Sequence, residues 1–155
     1  EAVAAVEPVV EVVDLAAGWA QNYPLILAHA IGTLWLAERT DGLDVLERNL
    51  RSKVVEPDVR YLECDGRWSL AQVCGLTGRA DEARGWFQRA REVMAEQGTH
   101  TLEVGIDLDE VLLEQRLGTA GSRARIEELL DRARAGAAHP AMAAWRPRIE
   151  AAAAR

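Results

Sequence analysis

One group of residues in this sequence has a spacing that suits binding chemistry, and the group is acidic. Its members recur at positions i, i+4, i+7 and i+11, which places them on one face of a helix: Glu103, Asp107, Glu110 and Glu114. Like charges on one face repel, so the helix is stable only if positive charges lie close to this acidic stripe. A basic segment of a partner is one source of cations. Arg84 and Arg91 on the neighbouring predicted helix are another, and a merely solvated stripe is the third alternative.

The usual catalytic and metal-binding patterns are missing from the sequence. The only lysine, Lys53, has no glycine-rich phosphate loop around it, and no Gly-x-Ser-x-Gly elbow occurs. His29, His100 and His139 are far apart and form no His-x-x-x-His pair. His29 is expected in the core, and the other two are expected to be solvated at helix boundaries. We therefore expect a protein that is not an enzyme and that binds no metal or cofactor.

Composition predicts a soluble, cytoplasmic chain of about one domain, covering residues 1–155. The net charge is −7 and no basic cluster suggests nucleic acid or a membrane surface as a partner. Cys64 and Cys74 would lie about 15 Å apart on one helix, which exceeds disulfide reach and is typical of reduced cytosolic thiols. No secretory signal is recognisable, and the sequence lacks an initiator Met, which favours a segment of a larger protein.

Apolar residues recur at helical spacing along the chain, whereas strand-like alternation is not sustained. Breaks at Pro and Gly divide the pattern into eight predicted helices: 3–20, 24–39, 43–53, 58–76, 80–97, 100–117, 122–136 and 140–154. Asp41 and Ser122 are expected to cap the third and seventh helices, and Pro147 to kink or restart the last. Because the connections are short, consecutive helices are expected to pack as antiparallel neighbours.

Three helices carry more specific expectations. The second is apolar nearly all round, which is typical of a helix buried between neighbours. Gly66 is expected to weaken the fourth helix. Gly85 lies inside the fifth, where glycine costs ~1 kcal/mol relative to alanine, and a close approach of another helix would explain it.

A repeat pattern is visible in residues 70–90. Large and small residues alternate on one helix, a glycine forms the turn, and small, aromatic and small residues follow: Leu70, Ala71, Cys74, Gly78, Ala83, Phe87 and Ala90. This pattern resembles the tetratricopeptide repeat, a helical hairpin of roughly 34 residues. Residues 102–137 and 25–53 form two weaker units, with Asp109 at a position that the repeat reserves for a small residue. The resemblance implies an all-α, right-handed stack of antiparallel hairpins.

The stretch from Trp68 to Met142 also resembles a narrower group. Its motifs are Gly78-Arg79-Ala80-Asp81-Glu82-Ala83, Trp86-Phe87-Gln88-Arg89-Ala90, Ile106-Asp107-Leu108 and Glu128-Leu129-Leu130. They look like the C-terminal helical repeats of large bacterial regulators that join an NTP-hydrolysing module to an adenylate-cyclase or helix-turn-helix output domain. The resemblance implies a sensor or scaffold segment, and none of that family's enzymatic or DNA-binding motifs is present.

The repeat register suggests where such a scaffold would bind. Glu103, Glu110 and Glu114 fall on the first helix of a hairpin, at positions that line the concave groove. Asp65, Trp68 and Gln72 fall at corresponding positions one repeat earlier. The hypothesis is a groove, with Asp107 in the same stripe, that binds a basic or partly apolar protein segment.

Two other functions stay open. A small-molecule sensor would hold its ligand between helices near Trp35, and an oligomerisation segment would self-associate through its apolar first and last helices.

Overall fold

The computed structural model describes residues 3–13, 22–61 and 64–155. These ranges contain no strand and eight α-helices: α1 (Glu7–Val13), α2 (Tyr23–Ala37), α3 (Leu43–Leu50), α4 (Gly66–Leu76), α5 (Ala80–Gln97), α6 (Glu103–Leu117), α7 (Ser122–Gly136) and α8 (Arg146–Ala153). Short 3₁₀ segments precede α1, α6 and α8, and a π turn over Arg51–Val55 continues α3. The all-helical prediction is confirmed. The part of the predicted first helix at positions 14–20 lies outside the described residues.

Several helix ends follow local sequence signals. Gly98 ends α5 and Gly118 ends α6, each with a left-handed backbone (φ +69° and +57°) that glycine adopts at little cost. Pro147 lies in the first turn of α8, so it restarts the helix as predicted. The expected caps are wrong. Gly121 and Gly42 hold the N-cap positions of α7 and α3, while Ser122 is already helical.

The fourth helix begins later than predicted, at Gly66 instead of residue 58. Asp58 has a left-handed backbone (φ +54°), which stops the chain from continuing as a helix after the π turn. Asp65 then caps α4, because its carboxylate accepts a hydrogen bond from the Arg67 N–H at 2.8 Å. Gly66 therefore opens the helix and does not weaken its middle. A Cβ there would lie 2.8 Å from Val54 Cγ1.

The chain divides into two compact units, Glu1–Ala90 and Arg91–Arg155. In unit 1, apolar side chains of α1–α4 and the π turn form a core that includes Leu27, Ile31, Leu46, Leu50 and Leu70, all fully buried. In unit 2, α6, α7 and α8 enclose a second core around Val111, Leu129, Ala133 and Ile149. None of the described helices is long and apolar enough to cross a bilayer.

Helix α2 is buried on one side only, which corrects the expectation that it lies between neighbours on all sides. Leu34 and Trp35 are fully buried, whereas Ile26 is 41 % and Leu36 64 % exposed.

The expectation that a closely packed helix explains the glycine at position 85 is wrong. A Cβ at Gly85 would meet no atom within 4 Å beyond its own helix backbone and chain neighbours, so no helix among the described residues approaches it closely.

Candidate functional site

The acidic stripe lies on α6, and a buried arginine forms ion pairs with two of its carboxylates. Arg91, in the C-terminal half of α5, is 5 % exposed, while Asp107 and Glu110 are 2 % and 0 % exposed. Arg91 Nε donates to Asp107 Oδ1 at 2.7 Å, and Arg91 Nη2 donates to Glu110 Oε2. Opposite charges that are buried together must be paired, because an isolated ion in the interior is strongly destabilising. Of the alternatives stated for the stripe, the structure shows the one in which Arg91 of the same chain supplies the positive charge.

Helix α7 supplies the remaining partners of the stripe. Arg125 donates to Glu110 Oε1 at 2.7 Å, and Arg132 Nη2 lies 3.2 Å from Asp107 Oδ1. The Ser122 hydroxyl donates to Glu114 Oε2 at 2.7 Å, and Glu114 is 1 % exposed. The stripe therefore joins α6 to α7 through charged hydrogen bonds.

The stripe does not form the open charged surface that the groove hypothesis expects. Asp107, Glu110 and Glu114 are buried and engaged within unit 2, and Arg84 pairs with Asp81 at 2.8 Å. Only Glu103 keeps an accessible side chain, about a quarter exposed, and His100 Nδ1 lies 2.7 Å from its Oε1. The spacing correctly predicts that these residues share one face of a helix, but it does not determine whether that face is exposed to solvent.

Burial also raises the pKa of two carboxyl groups among the predicted site residues, one in the stripe and one in unit 1. Desolvation raises the pKa of Asp107 above its ordinary value, although the charges of Arg91 and Arg132 oppose the change. Burial raises the pKa of Asp65 in the same way, against the opposing hydrogen bonds and charge of Arg67. In both cases the loss of water outweighs the cation beside the carboxylate.

The other three predicted site residues belong to unit 1. Asp65 is 1 % exposed and serves as the α4 N-cap, as described above. Trp68 is half-buried and Gln72 is buried, at 7 % exposure. Asp65 and Gln72 are therefore not solvent-exposed groove residues, and the binding role of all three stays a prediction.

Unit 2 contains a cavity that was not predicted from the sequence. It has a volume of about 590 Å³ and lies against the start of α6, the end of α7 and the segment before α8, with a lining that includes His100, Glu103, Val104, Asp107, Arg132, His139 and Met142. His100 and His139 are exposed, as predicted, but they border this space. The signal available in the sequence was the spacing of Glu103 and Asp107, one turn apart on α6.

No group of three or more His, Cys, Asp or Glu side chains in the described ranges is arranged to hold a metal ion. Comparisons of the chain with protein-family models, with curated proteins and with solved structures found no match. The resemblance to tetratricopeptide repeats and to bacterial regulators therefore stays a prediction.

Proposed function

We propose that this chain is a non-catalytic interaction module, a helical-repeat scaffold that binds a protein partner through the exposed side of α2. The observation that carries the proposal is the exposure of two large aliphatic side chains, Ile26 and Leu36, on that helix. Single exposed apolar residues are common, but two of them on one helix face mark a surface suited to contact another protein.

The side of α2 away from the core carries a stripe that we call the α2 face: Ile26, His29 and Leu36, which are exposed, and Gly32 and Thr33, which are half-buried. The exposure of His29 corrects the expectation that it lies in the core. Residues 26, 29, 33 and 36 follow helical spacing, so they point in one direction. A Cβ at Gly32 would meet no atom within 4 Å other than its chain neighbours and its own helix backbone, so the middle of the face is low and open. A helix of a partner can approach closely over a small residue flanked by larger ones.

The charge of the chain indicates the chemistry of that partner. The net charge is −7, so an approaching surface with basic residues around an apolar centre is electrostatically favoured. We therefore assign the α2 face to an amphipathic helix with an apolar stripe and a basic rim, a common mode of recognition.

The proposal includes the repeat architecture. Ala71, Ala83, Phe87 and Ala90, which carry the tetratricopeptide pattern, are all fully buried, as expected if small residues lie at helix crossings and the ring fills the gap between hairpins. Asp109, at a position that the repeat reserves for a small residue, is also buried. A stacked scaffold within a larger cytoplasmic bacterial regulator is the setting that we propose.

The test compares capture of partners by the native chain and by the double variant Ile26→Ser/Leu36→Ser. Both side chains are exposed, so the variant should fold with unchanged circular dichroism. Val59→Ser is the matched control, because Val59 is also an exposed aliphatic residue of unit 1, at 36 % exposure, but lies outside the α2 face.

We expect a protein that binds the native chain and Val59→Ser, that is lost with the double variant, and that binds directly when purified. A partner retained by the double variant would refute the assignment of the α2 face. Light scattering on the same samples would show whether the occupant is a second copy of this chain, which would replace the basic partner with self-association.

A further inference from the structure

The cavity of unit 2 carries an inference that is independent of the α2 face. Glu103 and Asp107 lie one helical turn apart on α6, and both border the cavity. Like charges at this spacing repel, so both carboxylates gain from a cation placed between them. The two groups differ in depth, because Asp107 is 2 % exposed whereas the Glu103 side chain is about a quarter exposed.

Each of these carboxylates has one oxygen without a partner among the residues that the structure describes. Asp107 Oδ1 takes both contacts, from Arg91 Nε at 2.7 Å and Arg132 Nη2 at 3.2 Å. Glu103 Oε1 is the oxygen bonded to His100. Asp107 Oδ2 and Glu103 Oε2 have no partner among the described residues. Asp107 borders the cavity, so its Oδ2 is available as an acceptor for a donor that enters there.

The cavity also offers donors. One nitrogen of the half-buried Arg132 guanidinium faces Asp107, and its other nitrogens have no partner in the part of the chain that the structure describes. His139 Nδ1 accepts a hydrogen bond from the Ala141 N–H at 3.2 Å, so the ring proton of a neutral His139 is on Nε2. Arg132 and His139 can therefore both donate to an anionic group.

We propose that this cavity binds a small zwitterion of the amino acid class. The ammonium group of the ligand donates to Asp107 Oδ2 and Glu103 Oε2, and its carboxylate accepts from Arg132. Met142 and Val104 give an apolar surface for the side chain of the ligand. The volume of about 590 Å³ lies within the range of small-molecule pockets and is ample for one amino acid.

The first measurement is binding of the twenty common L-amino acids to the intact 155-residue chain at millimolar concentration, by NMR chemical-shift changes and calorimetry. The amino acid that binds best is then compared with two analogues: the amine that lacks its carboxylate and the acid that lacks its amino group. We expect each analogue to bind at least about tenfold more weakly, because each loses charged hydrogen bonds.

Variants locate the site. Glu103→Gln removes the charge of one ammonium acceptor and Arg132→Gln removes the carboxylate donor, and each should weaken binding about tenfold. Glu127→Gln is the matched control, since the Glu127 side chain is 69 % exposed on α7 and does not line the cavity. Circular dichroism establishes that every variant is folded.

Three results would overturn the proposal: no amino acid binds, the amine alone binds as tightly as the amino acid, or binding survives in both folded cavity variants. None of these results would bear on the α2 face, because Ile26→Ser and Leu36→Ser leave the cavity lining intact.

Discussion

Arg91 and Asp107 form a buried ion pair, with 2.7 Å between Arg91 Nε and Asp107 Oδ1. Arg91 also donates to Glu110, so one guanidinium pairs with two carboxylates of α6 that are at most 2 % exposed. Arg91 Nη1 is buried and has no partner among the described residues. The pair therefore stabilises the fold by compensating buried negative charge. Replacing Arg91 with a neutral residue measures this contribution to the free energy of unfolding.

Replacing Arg91 with Met should lower the free energy of unfolding by about 3–5 kcal/mol, because Asp107 and Glu110 would then be buried with less compensating charge. Urea denaturation measures the change. Arg123→Met is the control: its side chain is 91 % exposed, it lies 3.5 Å from Glu127, and its loss should cost less than about 1 kcal/mol. If both variants lose equally little stability, the buried cluster does not hold unit 2 together.

Glu82 in unit 1 should make stability depend on pH in the acidic range. A hydrogen bond from Arg51, at 2.7 Å, and one from the Trp86 indole N–H, at 3.1 Å, lower the pKa of Glu82 from 4.5 to about 2. The unfolded chain therefore takes up the proton first as the pH falls. The stability that Glu82 contributes is complete above pH 4.5 and is lost as the pH approaches 2.

The Glu82→Gln variant tests this dependence. Because the Glu82 side chain is 39 % exposed, solvent screening limits the effect to less than about 1 kcal/mol. The native chain should be the more stable near neutral pH, and the difference should disappear at the acidic end of a series of thermal melts. A difference that stays constant over that series, or that grows as the pH falls, would contradict the assignment.

Gly85→Ala should stabilise the chain by about 0.5–1 kcal/mol, since alanine favours a helix interior and the added Cβ meets open space. Gly136→Ala provides the contrast on α7. A Cβ there would lie 2.8 Å from Val104 Cγ2, so a neighbour must shift and stability should fall. Thermal melts of both variants measure these changes. A lower melting temperature for Gly85→Ala would contradict the prediction and would mean that other atoms pack closely against this side of α5.

Helix existence was predictable from the sequence because its signals are local. Gly98 and Gly118 end their helices, and Pro147 restarts one, through backbone preferences that act within a single turn. The start of α4 was not predictable in this way. The left-handed backbone of Asp58 and the N-cap at Asp65 delay the start of the helix, although the apolar spacing continues through both positions. Apolar spacing alone does not show which of these signals determines the helix start.

The candidate site was predictable only in part. The spacing of Glu103 and Asp107 places both on one face of α6, and the structure agrees. Which face is buried depends on where α7 brings Arg125 and Arg132, far along the chain, and helical periodicity carries no information about that pairing. The cavity has the same origin, since its lining comes from three separate segments.

The π turn after α3 has an evolutionary consequence. The Glu56 N–H bonds to the Arg51 carbonyl oxygen at 2.9 Å, five residues back, so this turn holds one residue more than an α-helical turn. A descendant or ancestor of this gene that lacked one codon within the segment would form an uninterrupted α-helix there. We therefore expect natural length variants to be tolerated at Arg51–Val55 more readily than inside α4 or α6.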